Sequence, residues 1–343
     1  DAEEAAMRAK GLVRYKDQWV TPEDREKLEQ GLRKYEGRWM TEDQIREAQG
    51  YVRHEGKWVK KDDLEVLKLI GPAKEDTGLG DALQFVQTEH YAVMGDLAGA
   101  EMQTIAETME RLFAEWTRLF PSDLSSSILD GKHRLFVFRK ARPYQQLVRA
   151  RYERMKATEN WSESFARTEQ ERMKMRLRET SFWDVQPYVV SGHVQMPDPF
   201  EALKAHCVHF GANALVTRHH RTRFPSWWVN EGIAYWFEKR VTGTIQTFNA
   251  DVGRAGGYAN QNPLDTNKAN PWLDPTRWED LLVGLVREGR DPPLDRMKSK
   301  VLFGSENRLD AHDIAKAWSV VAFLIQDDPE KFAAFLRECK EGS

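Results

Sequence analysis

Residues 198–239 read DPFEALKAHCVHFGANALVTRHHRTRFPSWWVNEGIAYWFEK, and the fold around them is decided by how this stretch is divided. Asp198 suits an N-cap, Pro199 the first helical position, and Glu201 can reach back as in a capping box. Phe200, Leu203, Cys207, Phe210 and Ala214 then form one apolar stripe, so a helix is expected that sets His206 and His209 one turn apart. After a basic loop containing Arg218-His219-His220-Arg221-Thr222-Arg223, a second helix is expected to begin near Pro225-Ser226. Its buried side is marked by Trp228, Val229, Ile233, Trp236 and Phe237, and Glu231 lies in its first turns.

A histidine-bearing helix followed by a helix carrying Asn230-Glu231-Gly232-Ile233-Ala234 resembles the core of the gluzincin metallopeptidases, the thermolysin-like, peptidase MA-like group, in its bacterial form. In that family two His of an H-E-x-x-H helix and a Glu from the next helix hold zinc, and the Glu of the motif is the general base. The first motif is degenerate here. If His206 is the first ligand, Cys207 stands at the base position and Phe210 at the second ligand. If His209 is the second ligand, the first falls on Ala205 and the base on His206. Either register retains one His and Glu231, and neither offers a carboxylate base, a group that contributes about 10²–10⁴-fold to rate.

Ligands four apart on a helix differ by about 40° in azimuth and converge on one ion, whereas residues three apart differ by about 60° in the other sense. A rearranged metal set of His206, His209 and Glu231, joined by His219 or His220 from the basic loop, is therefore the alternative to a site with no cofactor. Zinc is the metal that alternative would hold. Cys207, among apolar neighbours inside a helix, is expected to remain a neutral thiol.

Toward the N-terminus the chain repeats itself. Gly11-Leu-Val-Arg-Tyr-Lys-Asp-Gln-Trp19-Val, Gly31-Leu-Arg-Lys-Tyr-Glu-Gly-Arg-Trp39-Met and Gly50-Tyr-Val-Arg-His-Glu-Gly-Lys-Trp58-Val align without gaps, each followed by a charged helical stretch. A period of about twenty residues signals small supersecondary units. In each, a tight turn at Lys16-Asp17, Glu36-Gly37 or Glu55-Gly56 joins two short strands. A helix follows, capped by Thr21 with Pro22 next to it or by Thr41 with Gln44 three residues on. The Trp is expected to join hairpin and helix as core rather than to form a row for peptide or glycan. Such units resemble those ahead of gluzincin-like domains in some exported bacterial proteins, where the role is binding or spacing.

The expected architecture is α+β: three hairpin-helix repeats over 1–70, a linker over 71–80, the α/β half of a gluzincin-like domain over 81–200, and the motif helices with a helical C-terminal half over 201–343. Residues 83–93 read as one strand, 99–120 as an amphipathic helix, 134–139 as a strand, 144–155 as a helix and 161–178 as a charged helix. Residues 185–194 form a further strand, which the resemblance makes the edge strand that holds a peptide backbone. His90 and His193 are isolated and expected to make local hydrogen bonds. Residues 241–274, rich in Gly, Asn and Pro, read as an irregular surface segment or a lid. Helices are expected over 278–287, 310–325 and 329–340.

With 31% charged residues, 41% hydrophobic ones and a formal charge of −3, nothing in the composition argues for nucleic acid. No run approaches the roughly 20 apolar residues of a membrane helix. The two cysteines, Cys207 and Cys339, provide no disulfide framework and are expected to be free. No export signal is legible in the charged opening, so a periplasmic or extracellular location is implied by the resemblance alone. The expected function is that of an inactive pseudo-metallopeptidase serving as a protein-binding or scaffold component. A zinc peptidase with a rearranged site and a structural part of an envelope or extracellular assembly are the alternatives.

Overall fold

A computed structural model describes residues 2–120, 132–177, 181–183, 188–191, 199–219, 226–247, 275–291, 293–298, 309 and 311–341. The chain is mixed α+β and divides into two units, Asp1–Gly71 and Pro72–Ser343.

The first unit opens with α1 (Ala2–Ala9) and continues through hairpin β1 (Val13–Tyr15)–β2 (Gln18–Val20), α2 (Pro22–Glu29), hairpin β3 (Arg33–Tyr35)–β4 (Arg38–Met40), α3 (Glu42–Ala48) and hairpin β5 (Tyr51–His54)–β6 (Lys57–Lys60). The tips adopt left-handed backbone, with φ 46° and 82° at Glu36-Gly37 and 47° and 81° at Glu55-Gly56, the mirror-image turn that suits strand twist. Helices start as the sequence dictates: Thr21 accepts from the Asp24 N–H, and Thr41 and Gln44 close a capping box. Gly11, Gly31 and Gly50, read from the sequence as the start of each hairpin, also close the preceding helix in the left-handed conformation (φ 74°, 81° and 82°). Lys27 of α2 lies over Trp39 of β4 and Arg46 of α3 over Trp58 of β6, while Tyr15 of β1 donates its hydroxyl to the Leu28 carbonyl of α2, the helix that follows its hairpin.

Residues 71–80, expected as a linker without periodicity, are helical as far as Thr77, because α4 (Lys61–Thr77) runs on through Gly71 and Pro72. Ala73 and Thr77 are buried, which holds this turn helical past a proline that supplies no N–H.

In the second unit a five-stranded sheet has the order β10-β11-β9-β8-β7. Residues 83–93 are not one strand but the antiparallel pair β7 (Gln84–Gln87) and β8 (Tyr91–Gly95). The break is fixed by Glu110, whose carboxylate accepts from the His90 N–H at 2.7 Å and lies 2.7 Å from the His90 ring Nδ1. β8 pairs in parallel with β9 (His133–Phe138), and β9 in parallel with β11 (Tyr188–Ser191). β10 (Ser181–Trp183) lies outside β11, so the strand expected at the edge is an inner one and its neighbour takes the edge. A Cβ at Gly95 would stand 1.8 Å from the Val137 carbonyl oxygen, so the β8–β9 approach requires glycine there.

α5 (Gly99–Leu119) buries Met102, Ile105, Met109 and Trp116 in the main core. α6 (Ala141–Thr158) and α7 (Glu163–Arg176) pack on each other, and α6 also against β9 and β11. The helical half comprises α8 (Pro199–His219), α9 (Trp227–Thr242), α10 (Trp278–Arg287), α11 (Asp295–Lys298), α12 (Ala311–Asp327) and α13 (Pro329–Glu341). α9 is the hub, packed against α5, α8 and α12. The glycine of Asn-Glu-Gly-Ile-Ala makes this packing close: a Cβ at Gly232 would lie 2.6 Å from the Ala317 carbonyl oxygen of α12. Of residues 241–274, expected as an irregular segment or a lid, the first two belong to α9 and 248–274 lie outside the described residues, as do His193, His220 and the side chains of His219 and Cys339. No described helix is long and apolar enough to cross a membrane.

Candidate functional site

α8 is apolar almost all round, with Leu203, Ala205, Cys207, Val208, Phe210, Ala212, Leu215 and Val216 buried, as expected of a central helix in a sizeable core. Its polar exceptions are therefore informative, because an interior polar group must find a partner. His209 and Asn213, four apart, share one face of α8, while on α9 Glu231 and Glu238, seven apart, share another. His209, Glu231 and Glu238 are each 0% exposed.

The His209 ring lies between the two carboxylates. Its Nε2 is 3.3 Å from Glu231 Oε2, and its Nδ1 is 3.0 Å from Glu238 Oε2. Asn213 Nδ2 donates to Glu231 Oε1 at 3.3 Å. The other Glu238 oxygen, Oε1, accepts the backbone N–H groups of Gln246 at 2.6 Å and Thr247 at 3.0 Å. Two aromatic rings flank the imidazole in T-shaped contacts, with the Tyr235 centroid 4.5 Å and the Phe210 centroid 5.2 Å from its own.

Two carboxylates on the two ring nitrogens are both satisfied only when each nitrogen carries hydrogen, which makes His209 an imidazolium. Burial pulls its pKa down, but the charges and hydrogen bonds of Glu231 and Glu238 outweigh burial and raise it to about 9. Burial pushes the Glu238 carboxyl above the usual carboxylate range, against the pull of His209 and of the two backbone N–H groups. His206 is opposite in character: burial, and then the charge of His209, lower it to about 4, so it is neutral. Its buried Nδ1 has no hydrogen-bond partner among the described residues. Burial raises the Cys207 thiol well above the ordinary range, leaving an inert apolar filler.

Of the sequence-predicted set His206, His209 and Glu231, the structure brings His209 and Glu231 together. Among the described residues, no group of three His, Cys, Asp or Glu side chains is placed to hold a metal ion. Sequence reasoning missed Asn213 and Glu238. The signal was present in spacing: residue 213 is one helical turn beyond His209, and residue 238 two turns beyond Glu231. Counting only histidines concealed the first, and stopping at the Asn-Glu-Gly motif concealed the second. Compared with family models, curated proteins and solved structures, the chain matches none.

Proposed function

We propose that the chain is a catalytically inactive relative of the gluzincin metallopeptidases, acting as a protein-binding or scaffold component in the envelope or outside the cell. The observation that carries this reading is Asn213, an amide, standing beside His209 and Glu231 where a second imidazole would have to stand. His209 and Glu231 are two ligands, one short of the three protein ligands that a zinc site of this kind needs.

The spacing supports the same reading. His209 and position 213 are four apart on one helix and converge on Glu231 of the next, as the family's ligands do. In that register Asn213 takes the place of the second His and Phe210 the place of the general base. Phe210 is buried and cannot move a proton. The registers built on His206 are less favourable, because His206 is turned to a different azimuth from the His209–Glu231 pair. The unit 1–71 is compact in itself and carries one Trp in each of its three hairpins, and it supplies the contact surface of the proposed scaffold.

The test is metal analysis and peptide hydrolysis on protein purified without chelator and then offered zinc. The expected result is sub-stoichiometric zinc and no hydrolysis. Near-stoichiometric zinc lost in Glu231→Ala, or hydrolysis lost in that variant, overturns the proposal and favours a peptidase with a rearranged site.

A further inference from the structure

Glu238 has a second set of partners that an ion pair between two helices does not need. α9 ends at Gly243 in the left-handed conformation (φ 81°), and the chain turns back along the helix it has just left. Thr242 Oγ1 donates to the Glu238 carbonyl at 2.7 Å and accepts from the Thr244 N–H at 3.3 Å, which fixes the turn. Residues 245 and 247 are then buried, and two N–H groups in succession, Gln246 and Thr247, converge on Glu238 Oε1. Paired main-chain N–H groups of this kind form an anion-binding concavity, here filled by a side chain of the same protein. The other oxygen of that carboxylate is held by His209 of α8.

We propose that residues 244–247 form a strap whose closure is set by His209 through the shared carboxylate of Glu238. Both oxygens of one rigid planar group are in use, so its orientation satisfies α8 and the strap together or neither fully. If His209 turns away, Glu238 is a buried carboxylate without its charged partner, which drives it toward solvent and off the two N–H groups. A rearrangement at the α8–α9 interface is thereby relayed to the main chain beyond α9. The inference is independent of any descent from peptidases, since it rests on the contacts of Glu238 alone.

Amide hydrogen exchange on the full chain tests it. In His209→Gln, exchange at Gln246 and Thr247 is expected to accelerate about tenfold or more relative to interior α9 amides such as Ile233 and Ala234, the scale of one charge-assisted hydrogen bond. Unchanged relative exchange in the strap overturns the proposal. Should the variant not fold, exchange of the native protein in rising urea gives the answer. Strap amides that share the denaturant slope of the α8–α9 amides support the coupling, and strap amides that open by a separate, urea-independent fluctuation refute it.

Discussion

Replacing His209 by Ala removes a cation held between two buried carboxylates, and its cost can be estimated by two routes. Breaking a buried pair by deleting one partner costs about 3–5 kcal/mol, because the remaining charge stays desolvated. Independently, a rise of the imidazole pKa from 6.5 to about 9 corresponds to about 3 kcal/mol of preference for the charged form in the folded state. Against a typical total of about 5–15 kcal/mol, either figure is a large share of the stability of the unit formed by residues 72–343. The folded imidazole holds its proton more tightly than the unfolded one. Its stabilisation is therefore complete below about pH 6.5 and is lost as pH rises through about 9. Urea unfolding of the 72–343 transition at about pH 6 and about pH 9.5 should show the native protein losing about 3 kcal/mol between the two. His209→Ala should begin lower by that amount at the acid pH and lack this loss. A deficit below about 1 kcal/mol at pH 6, or an alkaline loss as steep as in the native protein, refutes the imidazolium assignment.

Four further outcomes are expected. Gly232→Ala should destabilise, since a Cβ 2.6 Å from the Ala317 carbonyl oxygen and from Val321 Cγ2 meets backbone that cannot yield. The overpacking cost of about 1–3 kcal/mol exceeds the gain of about 0.5–1 kcal/mol from removing a mid-helix glycine. Gly211→Ala, whose Cβ meets the flexible ends of Met109 and Leu112, should stay within about 1 kcal/mol of the native protein, and thermal melts of the pair check the contrast. Glu36→Gly should stabilise the first unit by about 0.5–1 kcal/mol by relieving the φ of 46°, as read in chemical unfolding of that unit. Asn213→His should let the protein take up zinc detectable by metal analysis, since it completes a His-His-Glu set at i, i+4 and the next helix. A variant that remains metal-free refutes the convergence of positions 209 and 213 on Glu231.

Local chemistry made much of the fold legible in the sequence. The turns at Glu36-Gly37 and Glu55-Gly56, the Thr41–Gln44 capping box and the apolar period of α5 depend on neighbours within a few residues, so pattern alone located them. The α+β class followed from the same patterns. The divided strand at 84–95 did not, because its break is set by Glu110, twenty residues on from His90. The place of β11 inside the sheet depends on β10, whose pairing no alternation of side chains encodes. The continuation of α4 through Pro72 is a matter of burial rather than propensity.

For the site, the sequence by itself determined that a histidine helix precedes a helix carrying Glu231, and that the first helix has no H-E-x-x-H pattern. Only the tertiary structure decided which histidine faces Glu231, that Asn213 stands beside it, and that Glu238 closes the other side of the ring. The reason is geometric and electrostatic. A helix fixes which residues share a face, but only the packing of α8 on α9 selects the face that is buried, and only burial turns two carboxylates and an imidazole into one coupled group.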